Sequence, residues 1–394
     1  MTEKKPGPST QSVHLMRSVD PNNHSLIPPV VMNASFAYDD VETWQAVALK
    51  QHPGDIYSRN SNPTARLFEQ KVAALEGAEA GTSFATGMAA ISTTLFALLS
   101  PGQRVVCAKD SYGGTYLHFL EILPRFNIEC AICDTEDAEQ IEREIAKGCD
   151  LLYLETPTNP TLKVLDIARL NEAGKAVGAV TVCDNTFATP INQNPIALGT
   201  DLVLHSATKY LCGHGDLLGG VIVGSQDLVK KIYQFREPTG PMLDAFSASL
   251  LLRSLKTLAL RVERQNANAM GMARWLEAQP QVKAVFYPGL ESNKGHEVAR
   301  KQMRGFGGIL SIDLHGGFEA VKTVLKHLKY AYLAANLGQV ETVVGPPATT
   351  SHVELTAEER AAAGIPEGLI RYAVGIEDLE DLQADMAQAL DKLS

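Results

Sequence analysis

A single lysine, an aspartate one strand earlier and a glycine turn at the head of a helix are the residues whose types and places can do chemistry. Lys209 follows the apolar run Leu202-Val203-Leu204 in "DLVLHSATKYLCGHGDLLGG", Asp201 to Gly220. Lysine is seldom fully buried without a partner. Desolvation lowers its pKa and makes it a nucleophilic amine able to form a Schiff base. The plainer alternative is a lysine that snorkels from a sheet edge. Asp184 closes "VTVCDNT", a strand otherwise too apolar to welcome a carboxylate. A buried carboxylate needs a positive partner or several donors. Asp184 therefore reads either as a cap for the following helix or as the counter-ion of a buried cationic ring nitrogen. Gly87 and Met88 stand between an apolar strand and a helix, in "ATGMAA". Their backbone N–H groups can face an anion such as a phosphate, although strand–helix turns also use glycine for steric reasons.

Ser206 and Thr208 flank the lysine approach and offer hydroxyls to the same anion. A phosphate seat, an aspartate at a neighbouring strand end and a buried lysine are together what pyridoxal 5'-phosphate requires. The lysine takes the aldehyde, and the aspartate keeps the pyridine nitrogen protonated so that the ring serves as an electron sink. Neither GxGxxG nor GxxxxGK[ST] competes for the phosphate. The glycines from Gly213 to Gly220 are expected to let the chain turn closely around the cofactor.

The elements that must position these residues alternate. Strand-like runs "GTSFATG", "RVVCAK", "IECAICD", "LLYLETP", "VTVCDNT", "LVLHSAT" and "GGVIVG" are separated by helical patterns such as "GMAAISTTLFALLS", "TYLHFLEILPRF", "DAEQIEREIAKG" and "DIARLNEAGKAVG". Short apolar strands alternating with helices predict a mostly parallel sheet covered on both faces. Ligands of such sheets bind beyond the carboxyl ends of the strands. After residue 240, "SASLLLRSLKTLALRVERQNANAMGMARWLEAQ" predicts one long helix. Beyond it, "FGGILSIDLHGG" and "GLIRYAVGIE" read as strands, with "GFEAVKTVLKHL" and "DLEDLQADMAQALDKL" as amphipathic helices, an α+β pattern.

Bulk properties exclude several functions. With 394 residues, a net charge of −10 and no Lys/Arg run, the chain is unsuited to nucleic acid or to anionic membranes. No run approaches the roughly 18 apolar residues a bilayer span needs. "MTEKKPGPSTQ" lacks an apolar signal core, so a cytoplasmic location is expected. Cys130 and Cys133 form a CxxC within a strand-like run. Three positions apart on a strand, they point to opposite faces, so no metal site is expected.

The segments "YSRNSNPT", "ATGMAA", "ETPTNP", "DNTFATP" and "HSATKYLCGHGD" give the chain a resemblance to the Cys/Met-metabolism pyridoxal-phosphate enzymes, from "LIPPVVMNASF" to the last helix. That group includes cystathionine γ-synthases and γ-lyases, methionine γ-lyases and O-acylhomoserine sulfhydrylases. The resemblance implies an α/β, aspartate-aminotransferase-like (fold type I) large domain and a smaller C-terminal α+β domain. It divides the chain into an N-terminal arm over residues 1–60 that contacts a neighbouring subunit, a cofactor-binding domain over 61–250 and a small domain over 251–394. Lys209 is then the Schiff-base lysine and proton carrier, and Asp184 the pyridinium partner. Tyr112 stacks on the ring and protonates the leaving group. Gly87, Met88, Ser206 and Thr208 hold the phosphate, with Tyr57 and Arg59 contributed by the neighbouring subunit of a homotetramer built as a dimer of dimers. Asn159 and Thr186 complete the cofactor site. Arg371 clamps the α-carboxylate of a small amino-acid substrate, with Asn336, Glu341 and Tyr57 nearby. An aminotransferase of the same fold type would share the lysine and aspartate but not "YSR…NPT" or "SATKY". A purely structural descendant would not need Lys209, Asp184, Tyr112 and Arg371 together.

The implied reaction is γ-elimination or γ-replacement on a methionine- or homoserine-derived amino acid through a vinylglycine-type intermediate, leaning to γ-lyase. Methionine γ-lyases place a cysteine where this chain has Gly114, and a Lys-Asp pair where it has Arg236-Glu237. His214-Gly215-Asp216 is similar to the γ-lyases, and Glu341 to the glutamate of cystathionine enzymes that accept a distal amino group. Asn336 and "PATTSHVELTAEERAAAGI" resemble O-succinylhomoserine sulfhydrylases. γ-Synthase activity and a specialised biosynthetic γ-replacement are the alternatives.

Overall fold

The computed structural model describes residues 6–14, 24–349, 356, 358, 360 and 364–393. Most of the segment "PATTSHVELTAEERAAAGI" lies outside the described residues. Seven short strands build the first sheet: β1 Ala80–Phe84, β2 Arg104–Ala108, β3 Glu129–Cys133, β4 Leu151–Glu155, β5 Val180–Asp184, β6 Leu202–Ser206 and β7 Gly220–Gly224. They run in the order β1-β7-β6-β5-β4-β2-β3. Strands β6, β5, β4, β2 and β3 pair in parallel, whereas β7 is antiparallel to both its neighbours, β1 and β6. All seven strand-like runs of the sequence are strands here. Most of their apolar residues are buried, on both faces, as a parallel sheet between helical layers requires, with the edge strand β3 more open.

One face packs Ile91 and Leu95 of the helix Gly87–Leu98 against Leu202, Leu204 and Ile222. On the other, Phe68 and Val72 of the helix Pro63–Glu76 meet Val203, Val221 and Leu251. Ile141 and Ile167, from two further helices, cover Val106, Leu152 and Cys183. Cys130 packs with the first of these clusters and Cys133 with the last, on opposite faces as the strand pattern predicts.

Two expected helices are broken. The stretch after residue 240 is two helices, Ala245–Leu255 and Leu258–Glu277. The break is held by side chains that capture a backbone carbonyl: Ser254 O accepts from Thr257 Oγ1 and from Arg261 Nη2, both at 3.1 Å. Helix Gly113–Leu117 passes into a π turn, His118–Ile122, and then a 3₁₀ turn, Leu123–Phe126, where Pro124 has no N–H for a continuing α-ladder.

A second sheet follows, with β8 Val282–Phe286, β9 Ile309–Leu314, β10 Tyr332–Leu333, β11 Val343–Gly345 and β12 Leu369–Ala373 in the order β10-β11-β12-β9-β8. Only β9 and β12 were expected; the others are short or partly exposed and carry a weak apolar signal. Helices Leu258–Glu277, Gly317–His327 and Leu379–Leu390 supply Met272, Val321 and Met386 to its core.

Gly213 shows how tightly the segment after β6 is packed. Its φ is +69°, and a Cβ there would fall onto the buried Arg261 guanidinium. Gly213→Ala is expected to cost at least roughly 1–2 kcal/mol from the left-handed backbone alone. Calorimetry should therefore show a thermal midpoint lowered by a few degrees, and an unchanged midpoint would contradict this packing.

Candidate active site

The parallel register sets Glu155 of β4 opposite Asp184 of β5, and Asp184 opposite Leu204 of β6. β4 and β5 thus end level while β6 runs two residues further, to Ser206, and a cavity of about 470 Å³ opens beyond these three strand ends. Gly87, Met88, Tyr112, Asn159, Asp184, Thr186, Ser206, Thr208, Lys209, Asn336 and Arg371, all singled out from the sequence, line it. Thr86, Ile91, Glu155, Phe187, Leu218, Ala335 and Leu337 join them. A larger cleft of about 780 Å³ lies elsewhere. Its cations Lys163, Arg169, Lys283 and Lys294 are already paired with Asp110, Glu142, Asp313 and Glu136.

Lys209 sits on a tight turn after β6, with its N–H bonded to Ser206 O and its own carbonyl accepting from Gly213 N. Burial, and then the nearby Arg371, lower its pKa to about 8. Its Nζ donates to Asn336 Oδ1 at 2.8 Å. Asp184 accepts from Thr186 N at 3.0 Å, so it does shape the turn after β5. Burial raises its pKa against the Thr186 bonds, the Tyr153 phenol and His205, which oppose the rise. None of those neighbours is a lysine or arginine, so a cationic ring nitrogen is the partner this carboxylate suits. Thr186 Oγ1 accepts from Ser206 N at 2.8 Å and ties β5 to β6.

Thr86 caps the helix Gly87–Leu98 through its side chain, which accepts from Ala89 N. The first N–H groups of that helix have no intrahelical acceptor and can serve an anion. Gly87 needs no special φ. A Cβ there would stand 2.8 Å from Ser206 Oγ and fill the cradle between helix and strand. Thr208 Oγ1 accepts from Gly219 N at 3.0 Å. Arg371, half-buried on β12, donates to Asn159 Oδ1 at 3.2 Å and to the Asn336 carbonyl at 3.0 Å, which orients its fork. Burial brings its pKa down to about 10, still a cation at neutral pH. A helix-capped anion seat, a buried carboxylate in need of a ring cation and a lysine amine between them fit pyridoxal phosphate.

Several expectations change. Gly213, Gly215, Gly219 and Gly220 do not line the cavity; they make room for Arg261, Gln339, Ala207 and the Thr86 carbonyl. Tyr57 and Arg59, expected to serve the neighbouring subunit, do not line this chain's own cavity: Arg59 donates to the Glu237 carbonyl, and Tyr57 is exposed. Glu341 stands outside the lining and accepts from Gln339 Nε2 at 3.1 Å. Glu155 was missed, although it closes an apolar strand just as Asp184 does. It accepts the Tyr112 N–H at 2.8 Å, and burial, then Asp184, push its pKa well up.

The chain is similar to known proteins along nearly its whole length. Residues 9–391 match the family described as Cys/Met metabolism PLP-dependent enzymes, and the chain belongs to that family. It is 41% identical to an L-methionine gamma-lyase of Fusobacterium nucleatum subsp. nucleatum, with 100% of both chains covered. It is 43% identical to a cystathionine gamma-lyase of Bacillus subtilis, covering 90% of this chain and 93% of that one. The crystal structure of a cystathionine gamma synthase from Xanthomonas oryzae pv. oryzae, in complex with aminoacrylate and cysteine, superposes with a TM-score of 0.93 at 36% identity over 99% of each chain. The protein is accordingly a pyridoxal-phosphate enzyme of α/β, fold type I architecture.

An amine held near 8 reacts with aldehydes only when unprotonated. The rate at which cofactor-free protein recaptures pyridoxal phosphate should rise with pH up to about 8 and level off above it. A rise that continues toward the ordinary lysine range would contradict the burial described for Lys209.

Proposed function

We propose that this enzyme catalyses γ-elimination on a methionine- or homoserine-derived amino acid such as methionine, homocysteine or cystathionine, releasing 2-oxobutyrate, ammonia and a thiol. The observation that carries the reading is the Lys209 amine, placed in one cavity with the Asp184 carboxylate and the Arg371 fork. Bound pyridoxal phosphate supplies the electron sink that stabilises negative charge at the substrate α-carbon. Lys209 then moves protons at the substrate Cα and Cβ. Asp184 keeps the ring nitrogen charged, and Gly87, Met88, Ser206 and Thr208 hold the phosphate. Arg371, braced by Asn159 and the Asn336 carbonyl, takes the α-carboxylate bidentately. Tyr112 covers the ring and protonates the leaving group.

γ-Replacement is the second reading. It is supported by the likeness to the cystathionine gamma synthase structure and by the packing at Gly114. A Cβ at Gly114 would stand 2.9 Å from Met88 Sδ and 3.0 Å from Tyr112 Cε1, so the cysteine expected of a dedicated methionine γ-lyase would fit only with a shift of the Met88 side chain. Arg236, at the position of another methionine γ-lyase feature, is buried and donates to the carbonyls of Ser83 and Asn60.

The reading includes a cytoplasmic homotetramer, a dimer of dimers, with its active sites shared between subunits. Tyr57 and Arg59 then reach the phosphate of the neighbouring subunit rather than their own. Exposed Leu26, Ile27, Met32 and Trp44 near the start of the chain support a contact there, since solvated apolar side chains in one region mark interaction surfaces. The reading also divides the chain into an arm over 1–60, a cofactor domain over 61–250 and a small domain over 251–394, and the presence of two separate sheets supports the last two.

A substrate panel scored for 2-oxobutyrate tests the reaction. Release from methionine, homocysteine or cystathionine without an added thiol is expected; a new amino acid formed only when a nucleophile is present would favour replacement. Lys209→Ala should abolish turnover, and retained turnover would remove the central assignment. Arg59→Ala should speed cofactor loss on dilution, and unchanged retention would contradict the cross-subunit role.

A further inference from the structure

The lysine amine is joined to a carboxylate by a directional chain of two amides. Lys209 Nζ donates to Asn336 Oδ1 at 2.8 Å, Asn336 Nδ2 donates to Gln339 Oε1 at 2.8 Å, and Gln339 Nε2 donates to Glu341 Oε2 at 3.1 Å. An ionised carboxylate only accepts, so it selects the amino end of Gln339. That choice leaves the Gln339 oxygen for Asn336, which in turn presents its own oxygen to Lys209. The chain is pinned along its length. The Gln339 carbonyl accepts from Gln265 Nε2 at 2.8 Å, and the Asn336 carbonyl accepts from Arg371 at 3.0 Å. Gly215 leaves the room, since a Cβ there would stand 2.8 Å from Gln339 Oε1.

We propose that Gln339 is a positioning residue that fixes the Asn336 amide with its oxygen toward Lys209, so that Glu341 acts on the lysine through Gln339 rather than on a distal group of the substrate. This rests on the reading of Lys209 as the proton carrier. Donating an N–H to Asn336 leaves the lone pair of the neutral amine free for a substrate proton. A flipped Asn336 would donate to that lone pair instead and occupy it, and its amino group would oppose the protonated form. The other charged or titratable groups lining the cavity are Tyr112, Glu155, Asp184 and Arg371, and substitution of Gln339 leaves them in place.

Two variants test this. Gln339→Leu frees the Asn336 amide, whereas Gln339→Glu keeps an acceptor toward it. In the cofactor-free full chain, acetic anhydride labelling of Lys209, quantified by mass spectrometry against pH, should show the half-reaction pH of Gln339→Leu about one unit below the natural chain, a tenfold change in the protonation equilibrium. In the holoenzyme its kcat should fall about tenfold with KM nearly unchanged, and Gln339→Glu should restore most of that loss. An unshifted labelling curve would overturn the proposal. If Gln339→Leu fails to fold, Glu341→Gln decides, because an amide in that place no longer dictates the direction of the chain. Its kcat should fall alike for cystathionine and methionine; a KM rise confined to cystathionine would overturn the proposal and return Glu341 to the substrate. Were Lys209→Ala still active, the underlying reading would fail instead, so the two failures are distinguishable.

Discussion

The parallel register that levels the ends of β4 and β5 and carries β6 two residues beyond them is the constraint on which the site depends. Parallel pairing sets Glu155 beside Asp184, and the turn after β6 brings Lys209 in from the next strand. A slip of one residue would turn each of these side chains to the opposite face of the sheet. The apolar residues within the strands, buried on both faces, hold the register. A large, chemically inert core thereby decides where a few reactive atoms meet.

The polar groups are expensive where they stand. Taking a carboxylate or an ammonium out of water costs several kcal/mol in a protein interior unless partners compensate. Part of the compensation is local: Asp184 receives the Thr186 amide, Arg371 is held by Asn159 and the Asn336 carbonyl, and Lys209 leans on Asn336. The remainder appears as shifted proton affinities, an amine near 8 and carboxyls pushed upward. These are the properties a Schiff-base lysine and a ring counter-ion need. A cationic ring and an anionic phosphate are the groups whose charges would complement the Asp184 carboxylate and the N-terminal end of the helix Gly87–Leu98.

Much of this was legible in the sequence, because buried parallel strands write themselves as continuous apolar runs and their ends stand out as polar interruptions. All seven strands of the first sheet were visible in that way, with Gly87, Met88, Asp184, Ser206, Thr208 and Lys209 near their ends, whereas Tyr112, Asn159, Thr186, Asn336 and Arg371 were implied by the family resemblance. What escaped depends on contacts between distant segments. The break between the helices Ala245–Leu255 and Leu258–Glu277 follows from Arg261 bonding to Ser254 O. The glycines after Lys209 serve Arg261 and Gln339, not the cofactor. Glu155 carried the same signal as Asp184 and was overlooked, while nothing local marked Gln339. Strands β8, β10 and β11 are short or partly exposed, so their periodicity is weak.

Burial alone does not single out the working lysine. Lys71, on the helix Pro63–Glu76, is also buried, and its pKa is likewise lowered to about 8 by burial and by Lys256, yet it does not line the cavity. Borohydride reduction of the holoenzyme followed by peptide mapping separates the two directly. The account predicts the cofactor fixed on the peptide that carries Lys209 and on no other; recovery on Lys71 or any other lysine would contradict it.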